Sequence, residues 1–121
     1  MTDKLFLDTA IFIYFLENNI DYGDKVELFL NNSINDRNQL VTSTVTIMEF
    51  CTKPFELGNT NLVTKFEEFL SELNITLIPI NNEIALEAAK LRGKYKSLKG
   101  MDSLQLASAI MFGCNKFITN D

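Results

Sequence analysis

Short apolar runs alternate along this chain with longer stretches in which apolar residues recur at helical spacing. The apolar run near the N-terminus is typical of a strand buried on both faces, as in a parallel sheet. The predicted strands are Lys4–Asp8, Leu40–Ser43, Thr76–Ile80 and Lys116–Thr119. Because helical segments separate them throughout, the pattern predicts an α/β fold with right-handed crossovers and a parallel sheet covered on both faces.

The predicted helices lie between these strands, and polar or helix-breaking residues mark their ends. Ala10–Glu17 is apolar nearly all round, which indicates a helix covered on more than one side, partly by a partner. Pro54 is expected to end the third helix, Gly113 to end the last, and residues 31–38 to form a loop. The remaining helices are Asp24–Leu30, Val45–Lys53, Leu62–Leu73, a helix capped by Asn82 and running to Leu91, and, after a break at Gly100, Asp102–Phe112.

Length and composition limit the classes of protein that fit. At 121 residues the chain is expected to form one domain, residues 1–121, and no apolar run reaches the roughly 20 residues of a membrane span. Cys51 and Cys114 are expected to be reduced thiols of a cytoplasmic protein, with a disulfide as the alternative. The chain has no His, which excludes His-based acid–base catalysis and imidazole metal sites.

Four acids stand at the predicted ends of strands or starts of helices. Asp8 and Asp121 follow strands in similar contexts, Glu49 interrupts an apolar helix, and Asp102 opens the helix before the last strand. If the strands are parallel, all four lie at one edge of the sheet, where ligands of such folds bind. Each acid also has a structural interpretation that stays open: Asp8 and Asp102 as helix caps, Glu49 in a capping box with Thr46, Asp121 as a solvated end.

Four converging carboxylates would repel one another unless a cation joined them. Oxygen ligands without His or Cys suit Mg²⁺ or Mn²⁺, and such a site favours phosphodiester hydrolysis. Hydroxyl groups at the strand ends could orient water at the metal, although bonding to nearby backbone is the alternative. These hydroxyls belong to Thr9, Ser43 and Thr119.

Basic residues concentrate just before Asp102. A polyanion such as RNA could follow them into the acidic site, and Tyr95 among them could stack on a base, or they could form only a solvated helix face. The overall net charge of −5 argues against non-specific binding of nucleic acid by the whole surface. The basic residues are Lys90, Arg92, Lys94, Lys96 and Lys99.

The ordered set of segments resembles the PIN-domain ribonucleases, and more narrowly the VapC-type toxins of toxin–antitoxin pairs. The segments that carry the resemblance are Leu7-Asp8-Thr9, residues 43–49 (STVTIME), residues 100–109 (GMDSLQLASA) and residues 117–121 (FITND). The resemblance covers essentially the whole chain, with all four acids in order.

The resemblance implies a PIN-like three-layer fold with sheet order 3-2-1-4-5 and a Mg²⁺- or Mn²⁺-dependent endoribonuclease. It also implies a cognate antitoxin and a homodimer. Asp8 and Asp102 would be the main metal ligands, Asp121 would complete the cluster, and Glu49 would act through water. The family continues to a fifth edge strand, whereas this sequence stops at Asp121, so either the domain is truncated or that strand is absent.

Three other functions remain open at this point. A dehalogenase-like phosphatase would need a second Asp where Ala10 stands, and a response-regulator receiver would need an Asp after the third strand, where Asn81 follows Ile80. A non-catalytic interaction module of PIN-like fold, using the apolar helix 10–17, is the third.

Overall fold

The computed structural model describes residues 2–17 and 20–119, which form a four-stranded parallel sheet with helices on both faces. Its strand order, β3-β2-β1-β4, confirms the predicted fold class and topology. In chain order the elements are β1 (Lys4–Leu7), α1 (Thr9–Leu16), α2 (Gly23–Asn35), β2 (Gln39–Ser43), α3 (Thr44–Glu56), α4 (Thr60–Glu72), β3 (Thr76–Ile78), α5 (Asn82–Lys94), α6 (Gly100–Met111) and β4 (Lys116–Ile118).

The alternation of side chains along β1 divides the core into two clusters. Leu5 and Leu7 pack on one face against α1 to α4, while Phe6 packs on the other face against α5 and α6. Successive strand residues point to opposite faces, so one four-residue strand supplies both cores. Burial on both faces accounts for the unbroken apolar run from which a parallel strand was predicted.

The sheet order also excludes the receiver alternative. A flavodoxin-like receiver has strand order 2-1-3-4-5, with β3 beside β1. Within the described residues β3 pairs with β2 only and lies at the edge, where Pro79, just beyond Ile78, needs no ladder partner.

The loop predicted for residues 31–38 was wrong over its first half, because α2 continues to Asn35. Ser33 is buried, and its hydroxyl donates to the carbonyl of Phe29 at 2.9 Å. This bond satisfies within the helix a side chain that otherwise favours turns. Arg37, at φ +60°, then turns the chain toward β2.

The predicted end of the third helix at Pro54 was also wrong, since α3 continues through it to Glu56. Pro54 lies in the last turns, where the lost N–H affects a single helical bond, and its ring is buried. The helix ends at Leu57 and Gly58, and Gly58 adopts the left-handed conformation at φ +70°.

Two predicted helix starts need correction. Asn81, not Asn82, caps α5, and its side-chain oxygen accepts from the Ile84 N–H at 2.9 Å. Gly100 is the first residue of α6 rather than a break, and Asp102 lies inside the first turn instead of capping the helix. Gly113, at φ +76°, follows α6 as expected.

None of the helices within residues 2–17 and 20–119 is both long and apolar enough to cross a membrane.

Candidate active site

Asp8 lies at the carboxyl end of β1, beside the point where the strand order reverses. The chain runs from β1 out to β2 and β3 on one side and returns to β4 on the other. The Asp8 N–H donates to the Ile118 carbonyl of β4 at 3.0 Å, which fixes Asp8 between the two strands. A switch point of this kind opens a crevice for ligands.

The Asp8 carboxylate is held through both of its oxygens. Oδ1 accepts from the Thr9 N–H at 2.8 Å and so caps α1, while Oδ2 accepts from the Thr119 hydroxyl at 2.9 Å. The capping interpretation of Asp8 is therefore confirmed. Each carboxylate oxygen has a further lone pair, so capping leaves room for a cation.

Glu49 reaches the same edge from α3. Its Oε1 accepts from the Thr9 hydroxyl at 2.7 Å, and its side chain is half-buried. The alternative interpretation of Glu49, a capping box with Thr46, was wrong, since α3 begins earlier and Ser43 caps it through a bond from the Val45 N–H at 3.1 Å. Thr9 thus joins the two acids, next to Asp8 in sequence and bonded to Glu49.

Asp102 stands in the first turn of α6 with an exposed side chain. It precedes Gln105 by three residues, and residues at that spacing share a helix face. Gln105 contacts Thr9 and Thr46 beneath the two acids above. Asp102 therefore shares a face of α6 with Gln105, one turn nearer the start of the helix. Asp121, the fourth predicted acid, lies outside the described residues.

The three predicted hydroxyl residues all lie at this edge, with separate contacts. Thr119 bonds Asp8, Thr9 bonds Glu49, and Ser43 donates to the Gln105 side-chain oxygen. Ser43 also makes the backbone cap that was the alternative interpretation for such residues.

Sequence reasoning missed a buried polar layer directly below the acids. Gln105, Thr42 and Thr46 are 1% exposed or less, and they bond one another or the hydroxyls named above. The available signal was a large polar residue at an inward position of α6, which requires a buried hydrogen-bond partner. That partner could not be identified without the tertiary contacts.

The predicted basic residues cover the end of α5 and the connection to α6, and all of them are exposed. Arg92 folds back toward α6: its Nε donates to the Leu98 carbonyl at 3.4 Å, and its guanidinium lies beside Gly100. The Lys94 ammonium lies 5.5 Å from the Tyr95 ring centre. Arg92 thus lies near the start of the helix that carries Asp102.

Both cysteines are free thiols and lie away from this edge. Burial raises the pKa of Cys51, and the negative charge of Glu67 raises it further. Burial also raises the pKa of Cys114, while Lys4 opposes that change. Neither thiol is poised as a nucleophile.

The donor set suits a hard divalent cation. Asp8 and Glu49 supply carboxylate oxygens, and both acids accept a hydrogen bond from Thr9. The Thr119 hydroxyl also holds Asp8 in place. Mg²⁺ and Mn²⁺ prefer such oxygen ligands and are held by one or two carboxylates with water. Within residues 2–17 and 20–119, no three acidic or thiol groups gather into a metal-ligating cluster.

Comparisons with solved structures agree with this fold. The VapC20 toxin of Mycobacterium tuberculosis, which cleaves the sarcin–ricin loop, matches at a TM-score of 0.81 and 9% identity, over 98% of this chain and 90% of that one. A toxin–antitoxin complex from Klebsiella pneumoniae matches at a TM-score of 0.72 and 23% identity, over 97% of this chain and 87% of that one. VapBC2 of Rickettsia felis, bound to a promoter DNA fragment, matches at a TM-score of 0.73 and 20% identity, over 97% of this chain and 87% of that one. At these identities the likeness establishes the fold.

No protein among the curated sequences matches the chain. The family model described as PIN domain, however, matches residues 5–121, nearly the whole sequence. Together with the strand order and the acids at the switch point, that match establishes that the chain belongs to the PIN domain family.

Proposed function

We propose that this chain is a metal-dependent endoribonuclease and that it acts as the toxin of a toxin–antitoxin pair. The observation that carries the proposal is the placement of Asp8 and Glu49 on the two sides of Thr9, at the switch point between β1 and β4. An acidic crevice without His fits hydrolysis of a phosphodiester better than acyl chemistry.

The proposed ligands of Mg²⁺ or Mn²⁺ are Asp8 and Asp102, with Asp121 as a further acid of the cluster. When bound, the cation supplies charge neutralisation for the phosphate and a water of lowered pKa. Thr119 and the Thr9 N–H hold the Asp8 carboxylate in one orientation, so its outward lone pairs stay directed at the crevice. Glu49, held by Thr9, is placed to accept a proton from, or orient, the attacking water.

The RNA strand is proposed to reach the acids along the basic residues that end α5. Arg92, Lys94, Lys96 and Lys99 are exposed, and α6 begins directly after them. Asp102 lies in the first turn of α6, close in sequence to these residues. An RNA phosphate bound by them would therefore lie a short distance along the RNA strand from the crevice at Asp8.

The partner proteins are proposed from the related structures. The Klebsiella pneumoniae structure is a toxin–antitoxin complex, and the Rickettsia felis structure holds VapBC2 on promoter DNA. We extend this assembly to the present chain: a cognate antitoxin that inhibits it, and a homodimer of the single domain formed by residues 1–121.

Substitution of Asp8 by Asn tests the proposal. Asn has the same shape and caps helices equally well, so the fold should be retained. Loss of a ligand charge should lower RNA cleavage in Mn²⁺ by at least about 100-fold, since a bound cation supplies several kcal/mol of transition-state stabilisation. Cleavage is measured on total RNA and thermal unfolding by circular dichroism.

The matched control is Asp24→Asn, another acid at a helix start, in the first turn of α2. It should cleave RNA like the unsubstituted protein. Full cleavage by Asp8→Asn, or equal loss in both variants, would rule out Asp8 as a metal ligand of a nuclease.

A further inference from the structure

A network of buried side chains lies directly beneath Asp8 and Glu49, with Gln105 at its centre. Gln105 is 1% exposed and lies on the buried side of α6, which also carries Ser103 and Ser108. Its amide reaches three hydroxyl groups from three different elements, those of Ser43, Thr46 and Thr9. A buried amide with all its partners present is held in a single orientation.

The direction of each hydrogen bond in this network follows from one end. The Thr42 hydroxyl donates to the Leu7 carbonyl at 2.8 Å, so its single proton is engaged. In the 2.7 Å contact between Thr42 and Thr46, Thr46 must therefore be the donor. The Thr46 oxygen is then an acceptor toward Gln105, whose Nε2 donates to it at 2.8 Å.

The contacts of Ser43, at the opposite end of the network, require the same orientation of the Gln105 amide. The Ser43 oxygen accepts the Val45 N–H as a helix cap, and its proton is directed at the Gln105 Oε1. The Gln105 oxygen therefore faces Ser43, and both N–H groups face Thr46 and Thr9. Thr9 accepts the second of these N–H groups at 3.3 Å.

The network ends at Glu49, which accepts the hydrogen bond that Thr9 donates. Since the Thr9 oxygen faces a donor from Gln105, its own proton is directed outward, to Glu49 Oε1 at 2.7 Å. The Glu49 carboxylate has no proton to give when ionised, so Thr9 must act as the donor. The Gln105 amide and the Glu49 carboxylate thus set the direction of the Thr9 hydroxyl together.

We propose that Gln105 is a positioning residue for Glu49, acting through Thr9. The proposal rests on the proposed nuclease function for its effect on catalysis, but the contact itself does not depend on it. A Glu side chain has three rotatable bonds, and a fixed donor at its inner oxygen restricts them before substrate arrives. Without Gln105, Thr9 can turn its proton toward Thr46, 3.4 Å away, and release Glu49.

A double-mutant cycle separates this role from simple support of the fold. Gln105→Leu keeps the volume and removes the amide, and it should lower kcat for RNA cleavage about tenfold while KM stays within about twofold. In a Glu49→Gln background the same change should lower single-turnover cleavage less than about twofold, because the group being positioned is already altered. An equal loss in both backgrounds, or an unchanged kcat in folded Gln105→Leu, would overturn the proposal.

The control is Ser108→Ala on the same helix. Ser108 is fully buried and donates to the Leu104 carbonyl at 2.7 Å, outside the network around Gln105. The Ser108→Ala protein should be less stable than the unsubstituted protein and should keep the same kcat. If Gln105→Leu does not fold, Thr9→Val removes the last donor instead, and Thr9→Ser should recover most of the kcat that Thr9→Val loses.

A readout without RNA or metal tests the contact independently of activity. The ¹³C chemical shift of the Glu49 carboxyl group is recorded at one fixed pH in metal-free protein labelled on Glu. Gln105→Leu and Thr9→Val should move this signal in the same direction, and Ser108→Ala should leave it in place. If the unsubstituted protein cleaves no RNA, the proposed function fails, yet the signal still decides the contact; a signal that Gln105→Leu leaves unmoved refutes it.

Discussion

At Asp8, a helix cap and a candidate metal ligand are the same side chain. Its Oδ1 accepts from the Thr9 N–H, and its Oδ2 accepts from the Thr119 hydroxyl. A carboxylate offers about four lone-pair sites, so two structural bonds still leave sites that face the crevice. The cap therefore helps to orient the candidate ligand.

Residues at this edge differ in how well the sequence predicts them. Asp8 and Thr119 could be placed because each follows an apolar run, and the ends of parallel strands share one edge. Gln105 could not, because its role depends on hydroxyl groups 59 to 96 positions away in the chain, which only the folded structure brings to it. The Glu49 bond to Thr9 was missed for the same reason.

The two cysteines provide a residue-scale prediction about pH. Burial raises the pKa of both thiols, and the charge of Glu67 adds to the effect at Cys51. A raised pKa means less thiolate at neutral pH, and thiolate is the reactive form. At about pH 7.5, iodoacetamide should therefore alkylate both more slowly in the folded protein than in urea, with rates that rise as the pH rises.

Mass spectrometry of tryptic peptides measures the two rates separately. A Cys51→Ala variant serves as the control that assigns the signals. Alkylation of folded Cys51 at the same rate as in urea would contradict its burial against α4.

The presence of each strand and helix was easier to predict than the residues at which it begins and ends. All four strands and the intervening helices follow from apolar runs and helical spacing, which reflect burial on one face or two. Three of the errors fell at Ser33, Pro54 and Gly100, where a local rule predicted a loop or a break. At Ser33 an internal hydrogen bond satisfies the side chain, while Pro54 and Gly100 lie near helix ends, where the cost of about 1 to 3 kcal/mol for a helix interior does not fully apply.

The start of α5 provides a prediction at this scale, because two adjacent asparagines differ in role. Asn81 caps the helix by accepting the Ile84 N–H, whereas Asn82 is its first helical residue and exposed. Asn81→Ala should lower the free energy of unfolding by about 1 kcal/mol, and Asn82→Ala should change it by less than about 0.5 kcal/mol. Urea denaturation followed by circular dichroism measures both.

The two variants remove the same side chain from neighbouring positions, so each serves as the control for the other. A larger loss from Asn82→Ala would mean that the helix begins one residue later than the structure places it.

For the whole molecule, the decisive feature is the reversal of strand order beside β1. It places the ends of β1 and β4 and the starts of α1, α3 and α6 at one edge. The family resemblance implied this order; residue patterns alone predict a parallel sheet but not which strand lies at its centre. This topology brings Asp8 and Glu49 to the same edge, and each would be an ordinary cap or surface residue on another fold.

The charge distribution adds a second whole-molecule feature. The net charge is −5, yet five of the eleven Lys and Arg residues lie between Lys90 and Lys99. The surface as a whole therefore repels a polyanion, while one side of the α5–α6 connection attracts it. Salt screens charges that are more than roughly 8 Å apart at physiological ionic strength, so the local charges dominate close to the molecule.

This asymmetry leads to a prediction about RNA binding. In the Asp8→Asn protein, which should bind without cleaving, Lys94→Glu with Lys96→Glu should weaken RNA binding at least about tenfold. The slope of log affinity against log salt should also fall by about 1.4, since each phosphate contact with a single strand contributes about 0.7. Fluorescence anisotropy with a labelled oligoribonucleotide at several salt concentrations measures both quantities.

The matched control reverses two lysines elsewhere, Lys25 on α2 and Lys65 on α4, both exposed. It changes the net charge by the same amount, so any effect of overall charge is common to the two variants. If binding depends on the path toward Asp102, the control should retain affinity within about twofold and keep its salt slope. Equal weakening by the two pairs would mean that overall charge, and not the α5–α6 connection, governs RNA binding.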